Sequence, residues 1–183
     1  MIFKSIILNL VCVSFFSSAY AEFPCNGAPG RYLQHEDGAD GGFVANTAYV
    51  EQDAFGRVIP FIAEDAEVCD LARVSGHAIL SGDARISGNA HVSENAEIYG
   101  KSRVCGNARV FGKAQVYGDA HVFGDAQVFG KAHVYQNARI SEKAWVFGNL
   151  QISGNSEISG TAMISGDASI LNSAAIWFGT HVF

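Results

Sequence analysis

Six histidines, four cysteines and one acidic, glycine-rich loop are the residues whose types could do chemistry in this 183-residue chain. A histidine can ligate zinc or act as a general base, but both roles need partners that converge on one point. His35, His77, His91, His121, His133 and His181 are scattered, and none stands beside an obvious partner. The stretch His35-Glu36-Asp37-Gly38-Ala39-Asp40-Gly41-Gly42 gathers carboxylates and glycines that could hold Ca²⁺. It lacks EF-hand spacing and reads more simply as a solvated acidic turn. The residues alone therefore name no catalytic group, no metal site and no cofactor. What the side chains can do depends on the elements that position them.

The first of these is a leader. Met1-Ile2-Phe3-Lys4 supplies one positive charge, Ser5 to Phe16 is a short apolar run, and Ala19-Tyr20-Ala21 has the A-x-A form of a cleavage site. We expect a signal peptide over residues 1–21, cleaved after Ala21, and export to the periplasm, the cell surface or the outside. The run is short of the ~20 residues of a membrane span, so no stable membrane insertion is expected after cleavage. Cleavage removes Cys12 and leaves Cys25, Cys69 and Cys105. A net charge of −6 gives no reason to expect nucleic acid, and 49% hydrophobic residues with three prolines fit one compact domain.

The glycines are periodic, and so is everything around them. The chain reads as Val or Ile, any residue, Gly, polar, Ala, any residue, as in Val110-Phe111-Gly112-Lys113-Ala114-Gln115 and Val122-Phe123-Gly124-Asp125-Ala126-Gln127. An aliphatic residue occupies every sixth position from Ile62 to Val182, and Val44 and Val50 share the phase. Alanine and the aliphatic are two apart, so on a strand they share the inward face. Glycine and the Asn, Asp or Lys after it are expected to turn the chain through positive φ. A period of six cannot make a helical stripe. Three corners per turn give coils of three units each, none stable without its neighbours. The expected fold is all-β: a single-stranded, three-sided parallel β-helix, or β-solenoid, of about seven coils. We divide the chain into signal peptide (1–21), cap segment (22–43), irregular first coil (44–61) and repeat (62–183), with Gly56-Arg57-Val58-Ile59-Pro60 as the interruption.

These units resemble the hexapeptide-repeat superfamily of left-handed parallel β-helices, over about two-thirds of the chain. The resemblance implies a left hand, although a right-handed three-sided solenoid fits the periodicity as well. The superfamily includes acyltransferases and γ-class carbonic anhydrases. An acyltransferase of this kind, acting on a saccharide or amine, implies a histidine base, for which His121 and His133 are candidates, and a groove built by inserted loops. No loop interrupts the repeat after Ile62. The enzymes place a small residue directly after the aliphatic, whereas this chain puts Ser, Phe, Tyr or Cys there and glycine one place later, as in Val128-Phe129-Gly130. It looks more like the plain, insertion-free members that carry an acyltransferase label by similarity alone.

Folding the sequence at three units per coil assigns the outer residues to columns. After the aliphatic, Tyr99, Tyr117 and Tyr135 form one column, Phe111, Phe129 and Phe147 a second, and Cys69, Ser87, Cys105, Phe123 and Ser141 a third. Before the aliphatic, Arg85, Arg103, His121 and Arg139 share a column, and Arg73, His91, Arg109, Gln127 and Trp145 share another. The rings should stack, with arginines laid on them. Either the columns only stabilise the rod, or they form binding faces. For the second reading the binding residues are Tyr99, Tyr117, Tyr135, Phe111, Phe129, Phe147, Arg85, Arg103, Arg109 and Arg139, and the partners are another copy of the chain, laterally or end to end, or a cell-surface polysaccharide. Cys69 and Cys105 lie two coils, roughly 9.6 Å, apart, beyond the ~7 Å reach of a disulfide. Cys25 could bond Cys69 and pin the cap; the odd thiol would otherwise be free. Ile176-Trp177-Phe178 either folds over the last coil or leaves an open edge for stacking.

Overall fold

A computed structural model describes residues 24–35, 38–52, 59–63, 65–177 and 181–182. The expected signal peptide, Glu36 and Asp37 of the acidic loop, Gly56, Arg57 and Val58 of the interruption, and Phe178 lie outside the described residues.

Each six-residue unit supplies one two-residue strand, such as Arg103–Val104, Arg109–Val110 and Gln115–Val116. The chain visits three sheets in turn, and each strand pairs in parallel with those three units before and after it, so Val110 lies against Val92 and Val128. The result is an all-β, three-sided parallel solenoid with sheets of nine, eight and seven strands. We call them first, second and third in the order in which Val104, Val110 and Val116 enter them. Seven complete circuits run from Val44 to Ile170, and Ile176 and Val182 begin another.

The interior is what the alternation requires. Ile98, Val104, Val110, Val116 and Val122, with Ala108, Ala114 and Ala120 between them, are fully buried. Where serine replaces alanine, as at Ser102 and Ser156, its hydroxyl donates to the carbonyl three residues back, at 2.9 and 2.6 Å. A buried polar group is thereby satisfied at no cost to the core. Between coils, backbone N–H groups donate to carbonyls of the coil that follows: Lys113 to Gly130, Gln115 to Ala132 and Tyr117 to Val134, at 2.7–2.9 Å.

The corners depart from expectation in one respect. Positive φ falls on the glycine position alone, not on the Asn, Asp or Lys that follows, because one left-handed residue suffices to turn the chain. The polar residue serves instead to tie successive coils. Asn107 accepts from the amide of Asn89 at 3.2 Å and donates to Asp125 at 2.8 Å. At two of the positions where a larger residue replaces the glycine, its side chain adds a bond to the next coil. Asp70 accepts from the Gly88 N–H at 2.9 Å and Gln136 from the Gly154 N–H at 2.7 Å.

The N-terminal end is closed by a hairpin. Strand β1 (Gly30–Gln34) runs antiparallel to β2 (Asp40–Ala45), and β2 pairs in parallel with Glu67–Val68 in the first sheet. Leu33 is buried against the core. Cys25 and Cys69 are joined in a disulfide with Cα atoms 5.3 Å apart, which fastens the segment before β1 to the second coil. No described cysteine is free, so the expectation of a leftover free thiol is corrected. Tyr49–Val50 and Phe61–Ile62 complete the first coil against Arg73–Val74 and Ile79–Leu80. Two units rather than one separate Val50 from Ile62, and the Ile59 N–H donates to the Glu51 carbonyl at 3.0 Å across the base of the excess.

Gly112 tests the close approach of coils. Its φ is +78° and a Cβ there would sit 2.8 Å from the Gly130 nitrogen. Gly112→Ala should destabilise the rod by about 1–3 kcal/mol in a denaturant titration. A loss within error of zero would contradict this account of the corner.

Candidate binding surfaces

The predicted columns are present and lie at three separate places. Tyr99, Tyr117 and Tyr135 stack at the corner after the third sheet, with ring centroids 4.7 and 5.0 Å apart and planes within 5°. Phe111, Phe129 and Phe147 stack after the second sheet at 4.8 Å, within 3°. Both stacks are half-buried, because each ring's faces are largely covered by its neighbours. The third column differs: Cys105, Phe123 and Ser141 are buried, Phe123 being only 5% exposed. Burial raises the Tyr117 hydroxyl pKa, and the adjacent Tyr99 and Tyr135 push it the same way.

Arg85, Arg103, His121 and Arg139 stand in register on the first sheet, and Arg73, His91 and Arg109 on the second. The expected laying of guanidiniums on rings occurs, but beside the two main stacks rather than on them. Arg139 lies 5.4 Å from the centre of Phe123 and Arg73 5.0 Å from that of Tyr49. Arg85 is paired with Glu67 at 3.5 Å. The ten predicted binding residues are therefore brought together as columns, not as one pocket.

The histidines do not converge. His91, His121 and His133 belong to strands of the second, first and third sheets. His133 meets Tyr117 edge-on at 6.5 Å, and His35 stacks on Phe61 with a ring nitrogen 3.0 Å from the Ile62 carbonyl oxygen. An open depression of about 290 Å³ near the N-terminal end is lined by Arg31, Asn46, Tyr49 and Gln52 among others, and neither His121 nor His133 lines it. Cys25, Glu67 and Cys69 bring two sulfurs and a carboxylate within 4.8 Å, a donor set of metal-ligand type. The sulfurs are bonded to each other, so neither is a thiolate, and Glu67 instead accepts the Cys25 N–H at 3.0 Å. The cluster is the anchor of the cap.

Sequence reasoning named Trp145 and Trp177 but did not single out the other exposed large apolar side chains. Tyr32, Tyr49, Phe61, Leu71 and Ile79 lie toward the N-terminal end, and Trp145, Leu171 and Trp177 toward the other. Among the described residues between Ile79 and Trp145, no large apolar side chain is exposed. A signal was present: Leu71 stands where the repeat puts a polar corner residue, and Phe61 and Ile79 where it puts a polar outward one.

Coils of three six-residue units, wound into three parallel sheets, make this a β-solenoid repeat protein. Residues 114–130 match the family described as YdcK Beta solenoid repeat, so the repeat is similar to the YdcK type. No curated protein and no solved structure matches the chain. No helix among the described residues is long and apolar enough to cross a membrane.

The columns can be tested by stability. Phe129 stacks on both neighbours and Phe111 on one described ring, so Phe129→Ala should cost about 0.5–1.5 kcal/mol more stability than Phe111→Ala in urea titrations. Equal losses would mean that stacking adds nothing beyond burial. His121 has its pKa held below 6.5 by burial, then by Arg103 and Arg139, against an opposing pull from Asp119. His91 is lowered by burial and by Arg109 and Arg73. The unfolded chain thus binds more protons than the native one as pH falls through the ordinary histidine range, so stability should drop with it. His121→Gln should flatten the slope of urea midpoint against pH; an unchanged slope would refute the assignment.

Proposed function

We propose that the chain is an exported, structural or adhesive rod that acts by joining copies of itself and by holding a surface polymer along its sides. The observation that carries the self-association is the confinement of exposed large apolar side chains to the outer coils, as far as Ile79 from one end and from Trp145 onward toward the other. Apolar patches left in water favour association, and the described middle of the rod has none of this kind. Toward the last described strands the core becomes more open: Ile170 and Ile176 are half-buried, whereas Ile158 and Ile164 are fully buried. Leu171 and Trp177, 48% and 53% exposed, flank that opening. The hairpin of β1 and β2 covers part of the opposite end. Tail-to-tail contact of two copies is the arrangement that buries the open core and closes on itself.

Export rests on the leader pattern of residues 1–21, and the Cys25–Cys69 disulfide supports it, since such bonds persist in oxidising compartments. The sides of the rod carry the aromatic columns Tyr99–Tyr117–Tyr135 and Phe111–Phe129–Phe147 with Arg85, Arg103, Arg109 and Arg139. In this reading they are the surfaces that meet the polymer. Their flat, regular spacing suits an extended chain better than a small molecule.

Size-exclusion chromatography with light scattering on the mature protein tests the self-association. The wild type should be a dimer or larger at micromolar concentration, and Leu171→Lys with Trp177→Lys should give a monomer with an unchanged circular dichroism spectrum. A monomeric wild type would overturn the proposal.

A further inference from the structure

We infer that the first-sheet column Arg85–Arg103–His121–Arg139 is a binding strip for a linear anionic polysaccharide whose sugars carry carboxylates. The inference rests on the reading of the rod as a polymer-binding protein and names the polymer's chemistry and the face that takes it.

Like charges directly opposite one another on neighbouring strands destabilise a sheet. Here Arg103 has Arg85 on one side and His121 on the other, and Arg139 follows, with Glu67 and Glu157 only at the two ends of the run. Glu67 reaches Arg85, and Arg139 rests over Phe123, but Arg103 makes no ion pair with a described residue. The fold does not demand this. At the same outward position the third sheet carries Glu97 and Gln115, joined by a 2.9 Å hydrogen bond, and no arginine at all. A chain of net charge −6 thus runs three arginines and a histidine along the first sheet with carboxylates opposite only at the two ends of the run, a longer run than Arg73, His91 and Arg109 on the second sheet. A local rule broken without a local gain points to a ligand.

The surroundings favour an anion. On the downstream side the corner is Ser87, Cys105, Phe123 and Ser141, without a carboxylate, and its last three members are buried. On the upstream side stand Asp83, Lys101, Asp119 and Asn137, whose charges partly cancel. Repetition once per coil, over roughly 14 Å from Arg85 to Arg139, fits a chain that presents one anionic group after another. The planar, forked guanidinium matches a carboxylate with two parallel hydrogen bonds. His121, between Arg103 and Arg139 and near Asp119, is the proton-sensitive member of the strip. A bound polyanion offsets the two arginines and favours its charged form, so binding takes up a proton and strengthens as pH falls.

The test uses the mature full-length protein with polygalacturonate as the acidic probe and dextran as the neutral one, by isothermal titration calorimetry at low and high salt. Polygalacturonate should bind, weaken as salt rises, and lose at least about tenfold in affinity with Arg103→Gln plus Arg139→Gln. Lys113→Gln plus Lys131→Gln, at the corner between the second and third sheets, should leave the affinity within about twofold. The histidine signal of His121, followed by NMR, should show its pKa rising when polygalacturonate is added. Thermal melts of both double variants guard against loss of fold, and each should keep a single cooperative transition. If dextran binds as tightly as polygalacturonate, or if the lysine pair matters as much as the arginine pair, the strip is wrongly assigned while polymer binding stands. If neither polymer binds, the strip and the polymer-binding reading both fall, and self-association is judged separately by light scattering.

Discussion

Everything in this molecule depends on one register: a backbone N–H on each side of a coil reaches a carbonyl of the coil that follows, as Gln115 reaches Ala132. Because a strand's side chains alternate between faces, a slip of one residue would turn the aliphatics outward and the polar residues into the core. The core leaves no room for that. It is filled by one aliphatic and, Leu150 apart, one small residue per unit through the middle of the rod, without exposure there. Once register is fixed, residues three units apart must lie one above another, and the outer columns become a direct consequence of the inner ones. Ring stacks, amide ladders and the stacked arginines all descend from the same hydrogen bonds.

This explains why so much was legible from residue types alone. The sixfold recurrence of Val and Ile set the period, alanine two places earlier marked the inward face, and the coil length assigned Tyr99, Tyr117 and Tyr135 to one column. The parts that were not legible involve contacts that do not repeat. Phe123 occupies the same position in its unit as Phe111 and Phe129, but its neighbours in the column, Cys105 and Ser141, are small, and Arg139 covers it. The disulfide joins Cys69, inside the repeat, to Cys25, outside it, and no periodicity links the two. The hairpin of β1 and β2 pairs antiparallel in an otherwise parallel sheet, a choice that depends on the loop between them. The corner was half legible. Glycine marked it, but the division of labour between glycine, which bends, and asparagine, which ties coils together, required the positions of the amides.

Sides and ends of the rod follow different physics. Along the sides between Ile79 and Trp145, large apolar groups are stacked on their own kind or at least half-buried, and what varies from face to face is charge: arginine on two sheets, none on the third. Toward the two ends of the described rod, exposed Phe61, Leu71, Leu171 and Trp177 occur where mid-rod positions are polar or covered. A solenoid can therefore separate two roles that compete for surface in a globular domain, with cohesion at its tips and recognition along its length.

The three-sheet order also makes changes of length discrete. Adding or removing three whole units within the repeat would restore every column and alter only how far the rod reaches. Adding a single unit would keep the core intact yet rotate all downstream columns by a third of a turn, carrying Arg139 away from the face it shares with Arg103. The chain contains one surplus of that size, between Val50 and Ile62, and still enters the third sheet on schedule, with Ile59 and Glu51 bonded across its base. Surplus sequence is thus tolerated where it is closed off at a corner. In a lineage of such rods, length should drift in whole coils, and any departure from that rule should mark an excursion rather than a new face.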